Sequence, residues 1–357
     1  MKICFFTTSF AEHKQARLAY AEKYFPKDVE IFLITTKPQN KYSLYRTKIL
    51  EFSESKRDFV FELRRFCQEK KIDLLTNLGT PWESYALFFS TFMLKTKFII
   101  NIHSNLLESY SLQKGVFRKF FSFFKSRLIF FPFFFADKII FGASDQKEDV
   151  VNHFPLFKEK IIFLPLILDE KVFFNRGKLK MRKKLNLPIK RDIIIFVGRI
   201  QYLKGSDILL KIISKESKKF FILIGNDEEK ILSGLNAKNF LHINALSPTD
   251  LSEYYSASDL SILPSRTEGF GLVSREALLC ETPALVSEIT SLKSIPSVII
   301  ATNNFKEMLT KINWFFSLEK EQMEKIGKYG RKLIIKETSF LRLKRKYLNL
   351  FYYPYKK

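Results

Sequence analysis

The chain has 357 residues, enough for two domains of roughly 150 residues each, and its 46% apolar content allows it to bury sizeable cores. Its three cysteines are not at the spacing of metal or redox motifs, which favours a reducing cytoplasm. The formal net charge of +23 favours an anionic partner. Nucleic acid, an anionic membrane surface and a nucleotide substrate are the candidates, although a lysine-rich proteome would produce the same excess.

Short apolar runs recur along the chain and predict two series of β-strands. Most runs are continuous rather than alternating, which is typical of strands buried on both faces of a parallel sheet. Helical segments separate many of them, so the sequence predicts an α/β fold with doubly wound parallel sheets. The first series comprises residues 2–9, 29–35, 72–77, 97–102, 138–143 and 160–166, and the second 192–198, 220–225, 240–245, 260–263, 284–287 and 297–301.

Two series of strands predict two domains. We place the first at residues 1–170 and the second at 171–335, followed by a basic, amphipathic C-terminal segment at 336–357. The polar stretch 175–191 is rich in lysine and arginine and is predicted to mark the junction. The N-terminus begins directly as a strand, without the pattern of a signal peptide.

Three places in the first domain carry candidates for substrate contact. The loop after the first strand lacks glycine but offers hydroxyl groups, including that of Ser9, and the imidazole of His13. Trp82 follows the strand at 72–77 and is a candidate for lining a cleft. His103 directly follows the strand at 97–102, where a local hydrogen-bonding role is an equally good interpretation.

Residues 114–138 interleave aromatic and basic side chains in a helix-compatible pattern, as a helix on a membrane surface does. Charges interrupt the segment, and its clean apolar run is far shorter than the roughly 20 residues that cross a bilayer. The segment therefore predicts either binding to an anionic membrane surface or an ordinary buried helix with a basic outer face.

In the second domain, the strand at 192–198 ends in Gly198 and Arg199, and Lys204 follows at the start of the next helix. Open α/β sheets bind ligands at the carboxyl edge, where an arginine and a lysine can pair with a diphosphate. A solvent-facing pair beside a helix cap is the alternative. Asp227 follows the next strand and is interpreted either as facing a nucleobase or as a turn residue.

The most informative stretch is residues 264–276, which reads Pro-Ser-Arg-Thr-Glu-Gly-Phe-Gly-Leu-Val-Ser-Arg-Glu. A strand precedes it and a helical pattern follows, so free N–H groups and the positive end of a helix dipole suit a phosphate. The flanking carboxylates of Glu268 and Glu276 suit the hydroxyl groups of a sugar and a ribose. The pattern predicts a nucleotide-sugar site whose phosphates and sugar face the amides of Gly269, Phe270, Gly271 and Leu272.

This stretch resembles the donor-site signature of the retaining glycosyltransferases of family 4, in glycosyltransferase group 1. The segments Phe-Val-Gly-Arg at 196–199, Lys-Gly at 204–205 and Tyr-x-x-Ala-x-Asp at 254–259 resemble the same family. The resemblance implies the GT-B arrangement, in which two Rossmann-like domains face each other across a cleft and the last helix returns to the first domain. It also implies transfer of a sugar from a nucleoside-diphosphate sugar to an acceptor hydroxyl, without metal or other cofactor.

The resemblance further implies roles for individual residues. Arg199 and Lys204 would neutralise the leaving diphosphate, Glu268 and His103 would lie near the donor sugar, and Glu276 would bind the ribose hydroxyls. Ser9, His13 and Trp82 would lie on the acceptor side. The chain departs from the family at Glu281, where members usually carry a glycine, at the glycine-free first loop, and at residues 287–291.

The sequence therefore predicts a cytoplasmic enzyme that builds a lipid-linked or cell-envelope glycan. If residues 114–138 bind the membrane, the enzyme is peripheral on its inner face. No Asp-x-Asp, phosphate loop, dinucleotide fingerprint, nucleophile elbow or zinc-ligand spacing is present, so no metal is expected. A GT-B epimerase or phosphorylase, a catalytically silent GT-B subunit and a basic nucleic-acid-binding protein remain alternatives. No nucleic acid is expected, because no recognised nucleic-acid motif occurs.

Overall fold

The computed structural model describes residues 1–7, 18–19, 22–36, 44–79, 82–103, 130–288, 291–292 and 295–355. The chain divides into two compact units, the first made of Met1–Ile167 with Phe340–Lys357 and the second of Leu168–Ser339. None of the helices in these described ranges is long and apolar enough to cross a membrane.

The helices and strands alternate along the chain. The strands are β1 (Lys2–Thr7), β2 (Glu30–Thr35), β3 (Thr47–Glu51), β4 (Leu74–Asn77), β5 (Lys97–Ile102), β6 (Lys138–Phe141), β7 (Ile161–Phe163), β8 (Ile193–Val197), β9 (Phe220–Ile224), β10 (Phe240–Ile243), β11 (Leu260–Leu263), β12 (Ala284–Ser287) and β13 (Ile299–Ala301). The helices are α1 (Lys56–Lys70), α2 (Glu83–Thr91), α3 (Ser144–His153), α4 (Lys178–Lys184), α5 (Ser206–Lys215), α6 (Pro248–Ala257), α7 (Leu272–Leu279), α8 (Phe305–Ser317), α9 (Lys320–Thr338) and α10 (Phe340–Phe351).

Each unit is built around one parallel sheet. The first sheet has seven strands in the order β3-β2-β1-β4-β5-β6-β7, and the second has six in the order β10-β9-β8-β11-β12-β13. The second order is that of the doubly wound nucleotide-binding fold, and the first extends it by one strand. The prediction of two Rossmann-like parallel sheets is confirmed.

Every predicted apolar run contains a strand of the structure, and the strand that the sequence analysis missed is β3. β3 is the edge strand of the first sheet, and it pairs only with β2 among the described strands. Its residues Thr-Lys-Ile-Leu-Glu are mostly partly or fully exposed. An edge strand has no need of a continuous apolar run, so periodicity could not reveal it.

Helix α10 completes the core of the first unit. The ring of Tyr347 stacks on Tyr24 with 5.2 Å between centroids, and the ring of Phe351 lies 6.4 Å from that of Phe5 on β1. Leu343, one turn before Tyr347, is 3% exposed. The apolar face of this basic helix therefore covers one side of the first sheet.

The basic stretch 175–191 lies inside the second unit rather than at its boundary. Arg182 on α4 is 5% exposed and donates to the carbonyl oxygens of Ala257, Ile189 and Arg191 at 2.9, 3.0 and 3.0 Å. Its guanidinium also pairs with the carboxylate of Asp259, which in turn accepts from the backbone N–H of Ile193 at 2.7 Å. One arginine of the stretch is therefore a buried structural cation, which composition alone does not distinguish from a solvated one.

We predict that Arg182→Ala lowers the free energy of unfolding of the second unit by about 3–5 kcal/mol, because it removes a buried cation from Asp259 and a donor from three backbone carbonyl groups. The neighbouring Lys183 is exposed, so Lys183→Ala is the matched control and should change little. The chain has two tryptophans, Trp82 in the first unit and Trp314 in the second. Urea unfolding in a Trp82→Phe background, followed by Trp314 fluorescence, reports the second unit alone. Equal midpoints for the two variants would contradict the assignment.

Candidate functional site

The order of strands in the second unit creates a crevice between β8 and β11. From β8 the chain crosses to β9 on one side, and it later returns to β8 on the other side through β11. Connections on the two sides diverge at such a point, which leaves room for a ligand beyond the carboxyl ends of the two strands. The loops that follow β8 and β11 are residues 198–205 and 264–271, the two segments that the sequence analysis selected.

The two loops touch, and a glycine permits the contact. Gly205 has a φ of +72°, and a Cβ atom placed on it would lie 2.0 Å from the carbonyl oxygen of Pro264. The backbone N–H of Arg266 donates to the carbonyl oxygen of Leu203 at 2.9 Å. The loop after β8 and the loop after β11 therefore form one continuous surface at the crevice.

Arg266 holds the loop after β11 against α5. Its guanidinium donates to both carboxylate oxygens of Asp207, at 2.7 and 2.8 Å, and lies 3.7 Å from the centre of the Tyr202 ring. Burial by itself would raise the pKa of Asp207, but the hydrogen bond and charge of Arg266 outweigh it and hold that pKa below its usual value. The pair is consequently ionised at neutral pH and joins α5 to the loop after β11.

The structure brings Lys204 and Glu268 together. The Lys204 ammonium lies 2.6 Å from Oε2 of Glu268, which also accepts from the Ser265 hydroxyl at 3.3 Å. Both side chains are largely buried. Arg199, just past the end of β8, is exposed and forms no ion pair within the described part of the chain. The crevice edge thus carries two predicted cations and one predicted carboxylate.

Helix α7 begins at this edge. Gly271 is its N-cap with a φ of +69°, and as a glycine it has no side chain with which to cap the first turn. The first N–H groups of a helix have no acceptor within the helix, so they are available to an anion. The Phe270 ring is 3% exposed, so this residue meets the site through its backbone alone.

Arg275 is the side chain that fixes this loop, and no sequence motif pointed to it. It is 2% exposed, donates to Phe270 O and to both carboxylate oxygens of Glu337 at 2.9 Å, and lies 3.8 Å from the centre of the Phe270 ring. The Ser291 hydroxyl also donates to Phe270 O, at 3.0 Å. These contacts reach across 62 residues in sequence to Glu337, so no local pattern could have revealed them.

Glu276 lies one turn into α7 and has an unusual environment. The Tyr255 hydroxyl donates to its Oε2 at 3.3 Å. Although Glu276 keeps a little exposed surface, burial of the carboxyl raises its pKa to about 7, against a smaller opposite effect of the Tyr255 hydrogen bond. Tyr255 is fully buried, and burial raises its own pKa well above the usual value, so it stays a neutral donor. Tyr255 therefore orients the Glu276 carboxylate, which is predicted to bind the ribose hydroxyls.

Asp227 has a local role. Its two carboxylate oxygens accept from the backbone N–H groups of Ile231 and Leu232 at 2.8 and 2.9 Å, which caps the short helical turn after β9. This agrees with its interpretation as a turn residue, and both oxygens are already engaged by the chain itself. Among the residues that the structure describes, no group of three His, Cys, Asp or Glu side chains could hold a metal ion.

Glu281 occupies the position where the resembling family has a glycine, and its φ is +61°. The backbone therefore keeps the left-handed conformation that glycine favours, at a cost of about 1–2 kcal/mol. The Asn175 amide donates to its carboxylate at 2.9 Å. The substitution thus changes a helix end and leaves the site loop intact.

In the first unit, His103 lies at the carboxyl edge of the sheet between two glycines. A Cβ on Gly79, after β4, would be 2.4 Å from His103 Cδ2, and a Cβ on Gly142, after β6, would be 2.9 Å from Nδ1. Trp82 instead points into the core, where its ring contacts Phe59 at 6.2 Å between centroids. The predicted acceptor-side residues Ser9 and His13 lie outside the described residues.

Residues 177–333 match the sequence profile of the family described as Glycosyl transferases group 1. A D-inositol 3-phosphate glycosyltransferase of Catenulispora acidiphila is 32% identical over 119 residues, a match that covers 27% of this chain and 27% of that protein. The chain thus spans little more than a quarter of that relative's length.

Two solved structures share the fold across both units. The sucrose-phosphate synthase of Thermosynechococcus elongatus superposes with a TM-score of 0.84 at 16% identity, covering 98% of each chain. Anabaena Alr3699/HepE, solved in complex with UDP-glucose, superposes with a TM-score of 0.80 at 15% identity, covering 98% of this chain and 99% of that one. The resemblance to group 1 glycosyltransferases seen in the sequence motifs is confirmed, and the match to that family covers residues 177–333.

Proposed function

We propose that the chain is a retaining, metal-independent glycosyltransferase that moves a sugar from a nucleoside-diphosphate sugar to an acceptor hydroxyl. The observation that carries the proposal is the joined pair of loops between β8 and β11, which presents Arg199, Lys204 and Glu268 beside the start of α7. The complex of Anabaena Alr3699/HepE with UDP-glucose and the glycosyltransferase names of the relatives support it.

The charges of the site suit a leaving diphosphate. Arg199, Lys204 and the N-terminal amides of α7 place positive charge where negative charge develops as the sugar departs. A lysine ammonium has three N–H donors, so Lys204 can hold Glu268 and a phosphate oxygen together. Glu276 would accept hydrogen bonds from the ribose hydroxyls, and Glu268 and the His103 imidazole would serve the sugar.

Retention requires the acceptor to attack from the face that the diphosphate leaves. We propose that the departing phosphate accepts the proton of the acceptor hydroxyl, so that no separate protein base is needed. The proton moves from the acceptor oxygen to a phosphate oxygen while the bond from sugar to phosphate breaks and the bond from sugar to acceptor forms. Positive charge from Arg199 and Lys204 would stabilise this transition state.

We further propose that the first unit binds an anionic membrane surface, which would bring the enzyme to a lipid-linked or cell-envelope acceptor. Of the predicted segment 114–138, residues 130–138 are described. Their aromatic rings join those at the end of α2, with Phe88 4.7 Å from Phe135 and 5.3 Å from Phe131 between centroids. The resulting aromatic patch has six exposed side chains, Phe89, Phe92, Met93, Phe131, Phe134 and Phe135.

The surroundings of the aromatic patch favour a membrane as its partner. Lys95 and Lys97 lie beside it, and the net charge of the chain is +23, which suits anionic headgroups. The patch lies at the amino ends of β5 and β6, the edge of the first sheet opposite to His103. It would therefore anchor the chain without occupying the sheet edge that holds the candidate site residues.

We predict that one nucleoside diphosphate among UDP, GDP and ADP raises the melting temperature of the protein, with or without EDTA, because a ligand of the folded state stabilises it by mass action. Arg199→Ala and Lys204→Ala should each weaken binding of that diphosphate roughly tenfold or more, while binding of the nucleoside alone changes little. Titration calorimetry with the diphosphate and with the nucleoside separates the two effects.

Lys215→Ala is the matched control for these variants, since Lys215 is exposed at the far end of the helix that follows Lys204. It should bind both ligands as the unchanged protein does. Absence of a shift with any nucleotide from folded protein would sink the proposal and favour a silent subunit or a polyanion-binding protein. Turnover without an acceptor, or with inorganic phosphate, would favour an epimerase or phosphorylase instead.

The raised pKa of Glu276, about 7, predicts that nucleotide binding strengthens as pH rises. Below this pKa the carboxyl is protonated, and it must lose the proton before it can accept from both ribose hydroxyls. Affinity should therefore be about tenfold higher at pH 8 than at pH 6, since only the deprotonated fraction is competent. Glu276→Gln should lose this contribution, and any pH dependence that the variant keeps belongs to the nucleotide itself. Parallel pH profiles for the two proteins would refute the role.

For the membrane, we predict that the protein co-sediments with vesicles containing anionic lipid at low salt and is released at high salt. Replacement of Met93 and Phe134, which are 86% and 54% exposed, by serine should abolish co-sedimentation and leave nucleotide binding unchanged. Leu341, 82% exposed in the same unit but outside the patch, gives the control Leu341→Ser. A double variant that still sediments would show that the patch is not the anchor.

A further inference from the structure

A buried carboxylate, that of Glu83, stands at the corresponding crevice of the first sheet. Glu83 is the first residue of α2 and is fully buried. Its Oε1 accepts from the Thr7 hydroxyl at 3.2 Å, and its Oε2 accepts from the Asn77 amide at 3.3 Å and the Gly79 backbone N–H at 3.2 Å. Burying a carboxylate is costly, so these donors are needed to hold it there.

The carboxylate bridges the point at which the first sheet changes direction. Thr7 is the last residue of β1 and Asn77 the last of β4, and these neighbouring strands connect onward to opposite sides of the sheet. A ligand crevice opens at the carboxyl ends of such a pair. Glu83 therefore ties together the two strand ends that border the crevice of the first unit.

The network extends to the next strand. The Asn77 Oδ1 accepts from the backbone N–H of Asn101 at 2.7 Å, and the Asn101 amide donates back to the carbonyl oxygen of Asn77 at 3.0 Å. Asn101 lies on β5, two residues before His103. The strand ends of β1, β4 and β5 are thus linked by side-chain hydrogen bonds that begin at Glu83.

Glu83 also fixes the glycine on which His103 rests. The Gly79 N–H donates to Glu83, and Gly79 has a φ of +115° that leaves its Cα face open to the imidazole, 2.4 Å from where a Cβ would stand. A shift of this backbone would move the support of the ring. The imidazole cannot move far to the other side either, because a Cβ on Gly142 would lie 2.9 Å from its Nδ1.

We infer that Glu83 is a positioning residue for His103, acting through the Gly79 backbone and the linked ends of β1 and β4. The inference rests on the proposed function only for its effect on turnover. Its structural content, that the Glu83 carboxylate sets the environment of the His103 ring, stands independently of what the protein transfers.

The hydrogen bonds distinguish a glutamine from an alanine at this position. In Glu83→Gln the carbonyl oxygen can take the place of Oε2 and accept from Asn77 and Gly79. The new NH₂ group then faces the Thr7 hydroxyl, which can turn to accept instead of donating. Glu83→Ala removes both acceptor oxygens and with them all three hydrogen bonds, and Glu83→Asp draws the carboxylate back by one methylene. We therefore expect function and ring environment to survive the first change and not the other two.

The test is histidine-selective NMR on the intact chain, which has only four histidines. The His103 signal is identified by its loss in His103→Asn. In Glu83→Ala and Glu83→Asp that signal should shift while those of His153 and His242 stay in place, and in Glu83→Gln it should remain close to its original position. Gly79→Ala, whose methyl group would contact the ring, is the positive control for a displaced imidazole.

Glu22 provides a matched control in the same unit. It is 5% exposed and accepts from the backbone N–H groups of Tyr45, Arg46 and Thr47 at the start of β3, at 3.1, 3.2 and 2.7 Å. Glu22→Ala should cost comparable stability without moving the His103 signal. If it shifts that signal as Glu83→Ala does, or if Glu83→Ala and Glu83→Asp leave the signal unmoved, the inference is overturned.

Turnover gives the second readout. Transfer by Glu83→Ala or Glu83→Asp should fall roughly 10- to 100-fold in kcat, as expected for misplacement of a group near the chemistry, while binding of the nucleoside diphosphate stays unchanged. Glu83→Gln should restore most of the rate. Wild-type kcat in all three Glu83 variants would overturn the inference. A protein that binds no nucleotide at all would refute the proposed function instead, and the NMR comparison would still decide the role of Glu83.

Discussion

The close approach of Gly205 to the Pro264 carbonyl is the constraint on which the candidate site depends. Only a residue without a Cβ can stand there, since that atom would lie 2.0 Å from the carbonyl oxygen. Because the two backbones touch, Lys204 reaches Glu268 and Arg266 reaches Asp207. The arrangement of charge at the crevice therefore depends on a glycine at position 205, which lets the two loops come close enough for these polar contacts.

Parallel sheets explain why both units hold polar side chains at the same kind of place. All carboxyl ends of the strands meet at one edge, and the strand order opens a gap between β8 and β11 in one unit and between β1 and β4 in the other. The second unit fills this place with an ion pair and the start of a helix. The first fills it with the buried Glu83 carboxylate and its ring of neutral donors.

The sequence was sufficient for the strands buried on both faces and for the donor motif, because each is recorded in consecutive residues. It was insufficient for β3, whose exposed edge needs no apolar run, and it left two roles open for Asp227, whose carboxylate serves its own turn. Arg275 and Tyr255 were assigned no part in the site, although they orient the Phe270 loop and Glu276. Their partners lie 62 and 21 residues away, so only the folded chain reveals them.

The return of α10 to the first unit makes that unit discontinuous in sequence, whereas the second is the single segment Leu168–Ser339. Tyr347 and Phe351 of α10 cover Tyr24 and Phe5, so a fragment ending at Ile167 would expose aromatic surface that the intact chain buries. The second unit interrupts the first as an insertion would. During synthesis, the first unit therefore cannot complete its core until the second has left the ribosome.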